Sequence, residues 1–127
     1  MDDVVEVGAS LAGVSVALHL RRLGHSVTLL DRATFPRRKA CGEGLFPAGV
    51  AALRELGDFE ALIGNGTPLE GVRFNAGGSR AMAGLGNGPG LGIRREVLDA
   101  ALLRAAAAVG VHVRVSTMVT GLQLRAG

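Results

Sequence analysis

Asp3-Val4-Val5-Glu6-Val7-Gly8-Ala9-Ser10-Leu11-Ala12-Gly13 opens the chain, and Ser26-Val27-Thr28-Leu29-Leu30-Asp31-Arg32 follows after a helix-like run that stops at Gly24. Read together, these stretches predict a strand over residues 3–7, a glycine turn, a helix over 12–23 and a second strand over 26–30 that ends in a carboxylate. Asp31 stands 23 residues after Gly8. This is the pattern of a dinucleotide-binding βαβ unit. The first glycine permits the tight turn and the second lets backbone approach a pyrophosphate. The third lets helix pack on strand, and the free N–H groups and positive dipole end of the helix face the phosphates. Asp31 would then accept hydrogen bonds from a ribose. The plainer alternative is an α/β unit whose glycines serve packing alone.

Two residues depart from the ideal pattern. Ser10 stands where the middle glycine is expected, so its side chain would either crowd a pyrophosphate or donate a hydrogen bond to it. Glu6 interrupts a strand of a kind normally apolar on both faces, where an unpaired carboxylate is costly. It must find a cation, stay protonated or lie in a sheet less covered than usual.

The chain has 127 residues, 48% hydrophobic and 20% charged, enough for one globular domain with a core. The formal net charge of +3 is concentrated in Arg32, Arg37, Arg38 and Lys39. With no Trp, no Tyr and four Phe, the stacking platforms of single-stranded nucleic-acid binders are missing, and a small anionic ligand explains the basic run better. The single cysteine, Cys41, excludes an internal disulfide, and His19, His25 and His112 lack metal-ligand spacing, so no metal site is expected. The acidic start and the absence of a long apolar run predict neither signal peptide nor transmembrane segment. That places the chain by default in the cytoplasm, with peripheral membrane association left open.

Further along, residues 31–46 read as a basic loop. Pro47 opens a second helix that Gly57 closes. Strands are expected at 69–74 and 80–83 around Ala76-Gly77-Gly78, and turns from 84 to 92. A helix from Arg95 to Val109 carries Leu98, Ala101, Leu102, Ala105 and Val109 on one stripe. A strand with Val111, Val113 and Val115 on one side follows, then a last strand over 119–124.

The loop Phe35-Pro36-Arg37-Arg38-Lys39-Ala40-Cys41-Gly42-Glu43-Gly44-Leu45-Phe46-Pro47, taken with the opening and with Arg94-Arg95-Glu96-Val97-Leu98-Asp99, resembles the N-terminal part of the geranylgeranyl reductase family. That family lies within a larger flavoprotein group that includes aromatic hydroxylases and flavin-dependent halogenases. The resemblance covers nearly the whole chain and implies FAD as cofactor. It places Gly8, Ser10, Ala12 and Gly13 on the pyrophosphate turn, Asp31 on the ribose, and Arg32 and the basic loop near adenine and phosphates. Cys41, Gly42 and Gly44 would pass close to the flavin, and Arg95 would contact the cofactor from a helix start. Val119 would touch adenine through its backbone. Ala40 stands where the family usually has proline. On general grounds Cys41 reads as a small packing residue and Glu43 as a solvated loop carboxylate. Arg95, a cation at a helix start, is disfavoured by the dipole, which argues for a ligand role.

The fold class implied is α/β: an incomplete Rossmann-like FAD-binding domain with a parallel sheet and a small antiparallel hairpin insertion. Residues 1–127 would be the N-terminal part of an FAD/NAD(P)-binding domain, with 69–83 a hairpin belonging to an absent substrate domain. The Gly-Asp segment and ring-covering sheet of such flavoproteins are not in the sequence, so no catalytic residue is assigned and the chain alone is expected to be inactive. The resemblance implies an oxidoreductase that reduces isoprenoid C=C bonds, with NAD(P)H a candidate electron donor and an isoprenoid or aromatic small molecule as substrate. The alternatives are a flavin-dependent hydroxylase or halogenase of an aromatic substrate, and a degenerate, non-catalytic nucleotide-binding module.

Overall fold

The computed structural model describes residues 2–124. It contains two compact units, one formed by residues 1–37 and 99–127 and the other by 38–98.

The first unit holds β1 (Val4–Val7), α1 (Leu11–Arg22), β2 (Val27–Leu30) and β8 (His112–Arg114), joined in a parallel sheet of order β1-β2-β8. Val4 pairs with Val27 and Val7 with Leu30, while Thr28 pairs with His112. The central strand β2 buries Val27 and Leu29 completely, and α1 buries Gly13, Val14, Ala17 and Leu18. Arg21 closes the far end of α1: its Nε donates to the Val109 carbonyl at 3.0 Å and its Nη1 to the His25 carbonyl at 2.8 Å. At the same, N-terminal end of the strands, Asp2 bonds to Thr28 and lies 3.0 Å from His112 Nδ1, which links neighbouring strands. The mixed α/β architecture with its parallel sheet is the Rossmann-like arrangement expected.

Val5 and Val7 are 57% and 59% exposed, so one face of β1 is open and the strand does not bear the double coverage that continuous burial would need. Glu6 lies on the opposite face, half-buried beside α1.

The second unit is built from short pieces. β3 (Gly44–Leu45) and β4 (Thr67–Leu69) both pair antiparallel with β7 (Gly90–Gly92), and α2 (Pro47–Leu56) and α3 (Glu60–Gly64) lie between them in sequence. Val50, Leu53, Leu56, Phe59, Leu91 and Ile93 are its buried apolar residues. β5 (Gly71–Ala76) and β6 (Ser79–Gly84) form a separate hairpin. The helix α4 (Arg95–Ala108) begins in this unit and runs into the first. Among the described residues no helix is long and apolar enough to cross a membrane.

Several expectations need correction. The loop over 31–46 contains β3, and the turn-like stretch over 84–92 contains β7; both are glycine-rich pieces of two or three residues held by each other and by β4, not by their own propensity. The hairpin turn is Gly77-Gly78, which moves its strands to 71–76 and 79–84. Helix α4 buries Leu98, Asp99, Leu102, Leu103 and Ala106, so the buried stripe is rotated from the expected one and Val109 is half exposed. The buried carboxylate of Asp99 is what an apolar-periodicity reading misses. Residues 119–124 form no strand, and Leu122 and Leu124 are almost fully exposed.

Gly8 has a φ of 112°, a conformation open to glycine but strained for other residues. A Cβ built on Gly13 would lie 1.9 Å from the Gly8 carbonyl oxygen, so α1 and the turn can approach only without a side chain there. Gly13→Ala is therefore expected to lower unfolding stability by about 1–3 kcal/mol, the usual cost of overpacking. Urea denaturation followed by circular dichroism measures it; a variant as stable as the parent would contradict the packing account.

Candidate functional site

In the first unit the glycine turn and the end of β2 are tied by one carboxylate. Asp31, 7% exposed, accepts the Ala9 N–H on Oδ2 at 2.8 Å and the Ala33 N–H on Oδ1 at 2.7 Å. The Gly8 N–H donates to the Leu30 carbonyl at 2.8 Å. Asp31 thus shapes the turn as well as standing beside it. A carboxylate offers about four acceptor positions, so two backbone bonds leave room for a ribose hydroxyl.

Ser10 is the N-cap of α1, with extended backbone, but its hydroxyl makes no capping bond to the first turn. The N–H groups of Leu11, Ala12 and Gly13 have no intrahelical acceptor by helix geometry, and no acidic residue lies in that first turn. Ala12 is exposed and Gly13 is buried against the turn. A polyphosphate approaching here meets backbone donors and the positive end of the helix dipole.

Beyond β2 the chain continues beside the segment that follows β8. The Asp31 N–H donates to the Arg114 carbonyl at 3.1 Å, the Thr117 N–H to the Asp31 carbonyl at 2.8 Å and the Ser116 N–H to the Ala33 carbonyl at 3.0 Å. This pairing brings Thr117, Met118 and Val119 alongside Gly8, Asp31, Arg32 and Arg37 around a concavity of about 380 Å³. Gly8, Asp31, Arg32 and Val119, far apart in sequence, therefore share one site.

Arg37 is the residue of this site that the sequence reading did not single out. Its Nη2 lies 3.6 Å from Asp31 Oδ2, and its guanidinium carbon sits 4.9 Å from the Phe35 ring centroid. Its Nε is buried with no hydrogen-bond partner. A buried donor without an acceptor is costly, so an acceptor supplied by a ligand in this concavity fits it. The signal was present in the basic loop but was spread over four cations.

In the second unit Cys41, Glu43 and Arg95 form a cluster, with Gly42 between the first two and Gly44 opening β3. The Glu43 N–H points at Cys41 Sγ at 3.4 Å, and Glu43 Oε1 accepts the Arg95 N–H at 3.3 Å. The Ile93 N–H donates to the Glu43 carbonyl at 2.8 Å. Glu43 is therefore not merely a solvated carboxylate: it supplies an anion and an acceptor to the start of α4, where the dipole favours both. Arg95 is buried, and its side chain hydrogen-bonds Cys41. The thiol itself is exposed, which corrects the reading of Cys41 as a packing residue. The Glu43 N–H first, and then the Arg95 side chain, hold its pKa below the ordinary thiol value. Nearby, Arg38 and Arg94 reach Glu96 at 3.8 and 3.7 Å, exposed pairs that contribute little. A larger concavity of about 490 Å³, lined by α2, α3 and residues 87–91, contains none of the expected site residues. Among the described residues no cluster of His, Cys, Asp or Glu could hold a metal ion.

The thiol environment predicts that alkylation of Cys41 by iodoacetamide rises with pH about a midpoint below the free-cysteine value of about 8.5. Arg95→Met should move that midpoint upward, because a cation and donor to the thiolate are lost. Identical profiles for parent and variant would show that Arg95 does not act on the thiol.

Comparison with known proteins follows the same lines. A family model described as an FAD binding domain matches residues 1–125. Menaquinone reductase of Mycobacterium tuberculosis is 53% identical over 55 residues, a match covering 43% of this chain and 14% of that protein. The flavin-dependent halogenase CmlS superposes with a TM-score of 0.86 at 28% identity, over 96% of this chain and 24% of the halogenase. A flavoprotein/dehydrogenase from Cytophaga hutchinsonii gives a TM-score of 0.85 at 27% identity, over 98% of this chain and 32% of that one. The matched stretches make up less than a third of the length of each of these proteins. With a glycine turn packed on a parallel sheet, an acid ending the second strand and a model match over nearly its whole length, the chain belongs to the FAD binding domain family, and FAD is its cofactor.

Proposed function

We propose that this chain is the adenosine-binding part of an FAD-dependent oxidoreductase of the geranylgeranyl reductase type, one that reduces C=C bonds of an isoprenoid substrate. The observation that carries this reading is the 53% identity over 55 residues to a protein named menaquinone reductase. The Phe35–Pro47 loop, with its Cys-Gly-Glu-Gly run, supports it. In this reading the first-turn amides of α1 hold the pyrophosphate, Asp31 and Arg37 the ribose side, and Arg32 and the Val119 backbone the adenine side. Cys41, Gly42, Gly44 and Arg95 serve the flavin side. The cofactor, when bound, supplies the hydride chemistry, with NAD(P)H as donor; the protein binds and orients it. The residues that would cover the ring and the substrate are assigned to parts of the protein outside this chain, and so is any partner of the β5–β6 hairpin.

A second reading, a monooxygenase or halogenase of an aromatic substrate, is favoured by the likeness to CmlS. The two differ in what they consume. In a protein that joins this domain to its ring-covering parts, anaerobic oxidation of NAD(P)H accompanied by loss of a C=C bond from an isoprenoid substrate, read by mass spectrometry, supports the first. Oxygen consumption that depends on halide or an aromatic substrate supports the second.

For the chain itself, calorimetric titration with FAD, ADP and NAD should show an adenosine-dependent site. Arg37→Met should weaken it by about 1–3 kcal/mol, the scale for losing a charged hydrogen bond, at unchanged melting temperature. Undiminished binding would remove Arg37 from the site, and no binding by the parent would favour a degenerate module. NAD(P)H oxidation by the chain with FAD should match free flavin, since an uncovered ring has neither fixed geometry nor excluded water. Saturable turnover abolished by Arg95→Ala would contradict that.

A further inference from the structure

Glu6 stands out in the first unit as an ionisable side chain that the cofactor site does not use. It sits on β1, paired with Leu29, on the face toward α1, and it is half-buried. A Cβ built on Gly13 would lie 3.2 Å from Glu6 Oε1, so the carboxylate rests against the first turn of α1 from inside the fold. That turn carries no acid of its own. Among the described residues no hydrogen bond or ion pair is recorded for the Glu6 carboxylate, so the helix end is the favourable charge beside it.

We propose that Glu6 sets the affinity of the glycine turn for a diphosphate, by placing a negative charge against the same helix end that the diphosphate approaches from outside. This inference rests on the FAD reading and adds to it a residue that tunes binding without touching the ligand. One turn of helix is about 5.4 Å long, so a carboxylate at Gly13 and an anion at the amides of residues 11–13 stand within a Debye length at physiological salt. Two anions at one helix end repel each other, and each also weakens the other's share of the dipole. At the start of α4 a carboxylate also lies against the helix, and there Glu43 accepts the Arg95 N–H directly. There the charge satisfies the helix; at α1 it competes with a ligand.

The effect expected is the size of a charge near a helix terminus, about two- to fivefold in affinity. Glu6→Gln keeps the shape and removes the charge. Calorimetric titration of parent and variant with ADP and with adenosine, at low and high salt, separates charge from packing. Glu6→Gln should bind ADP about two- to fivefold more tightly at low salt, with the gain shrinking at high salt and adenosine affinity unchanged. Equal or weaker ADP binding by Glu6→Gln overturns the proposal while leaving the cofactor reading intact. A gain shared equally by adenosine also overturns it, because the residue would then act through the fold. If neither protein binds ADP or FAD, the cofactor reading itself fails and the proposal with it. Melting of Glu6→Gln by circular dichroism verifies that the variant is folded, and Glu6→Leu serves as a second uncharged replacement with the same expectation.

Discussion

The Asp31 carboxylate accepts one backbone N–H from the glycine turn, at Ala9, and one from the chain beyond β2, at Ala33. With both oxygens engaged, the turn between β1 and α1 is fixed relative to the end of the central strand. The close contact of Gly13 with the Gly8 carbonyl then sets how α1 leaves the turn. The chain past β8 follows the same path, through the Thr117 and Ser116 bonds to residues 31 and 33. A charged acceptor bonded to backbone donors in a buried place is among the stronger local constraints a small sheet can have. The concavity lined by Arg32, Arg37 and Val119 exists because these segments converge on that one side chain.

The parts of this arrangement that were legible in the sequence are those with a long-range period or a spacing. The alternation of strand, turn, helix and strand over residues 3–31 rests on glycine positions and a terminal acid, and these read directly. The start of α2 at Pro47 and its end before Gly57 are local chemistry, and they stand as expected. What could not be read depends on partners distant in sequence. β7 is Gly90–Gly92, a strand only because β3 and β4 flank it. The burial of Asp99 and the rotated face of α4 depend on what the helix packs against, not on its alanine-rich composition. Arg37 became distinct from Arg32, Arg38 and Lys39 only once its Nε was seen buried without an acceptor.

Helix ends carry much of the chemistry in both units. At α4, Glu43 supplies the anion, and the Arg95 side chain reaches Cys41 and lowers its pKa. At α1, the outer side of the first turn presents backbone donors without an acid in that turn, and the nearest carboxylate from inside is Glu6. The same dipole is thus used once to anchor a loop and once to face a ligand.

The central claim is that the glycine turn, Asp31 and the 117–119 segment hold the adenosine diphosphate end of FAD. Amide chemical-shift mapping with ADP tests it most directly. The account predicts that the largest shifts cluster at residues 8–13, 31–37 and 117–119, with Leu11, Ala12 and Gly13 among them. Shifts concentrated instead at residues 47–54 and 87–91, around the larger concavity of the second unit, would contradict it.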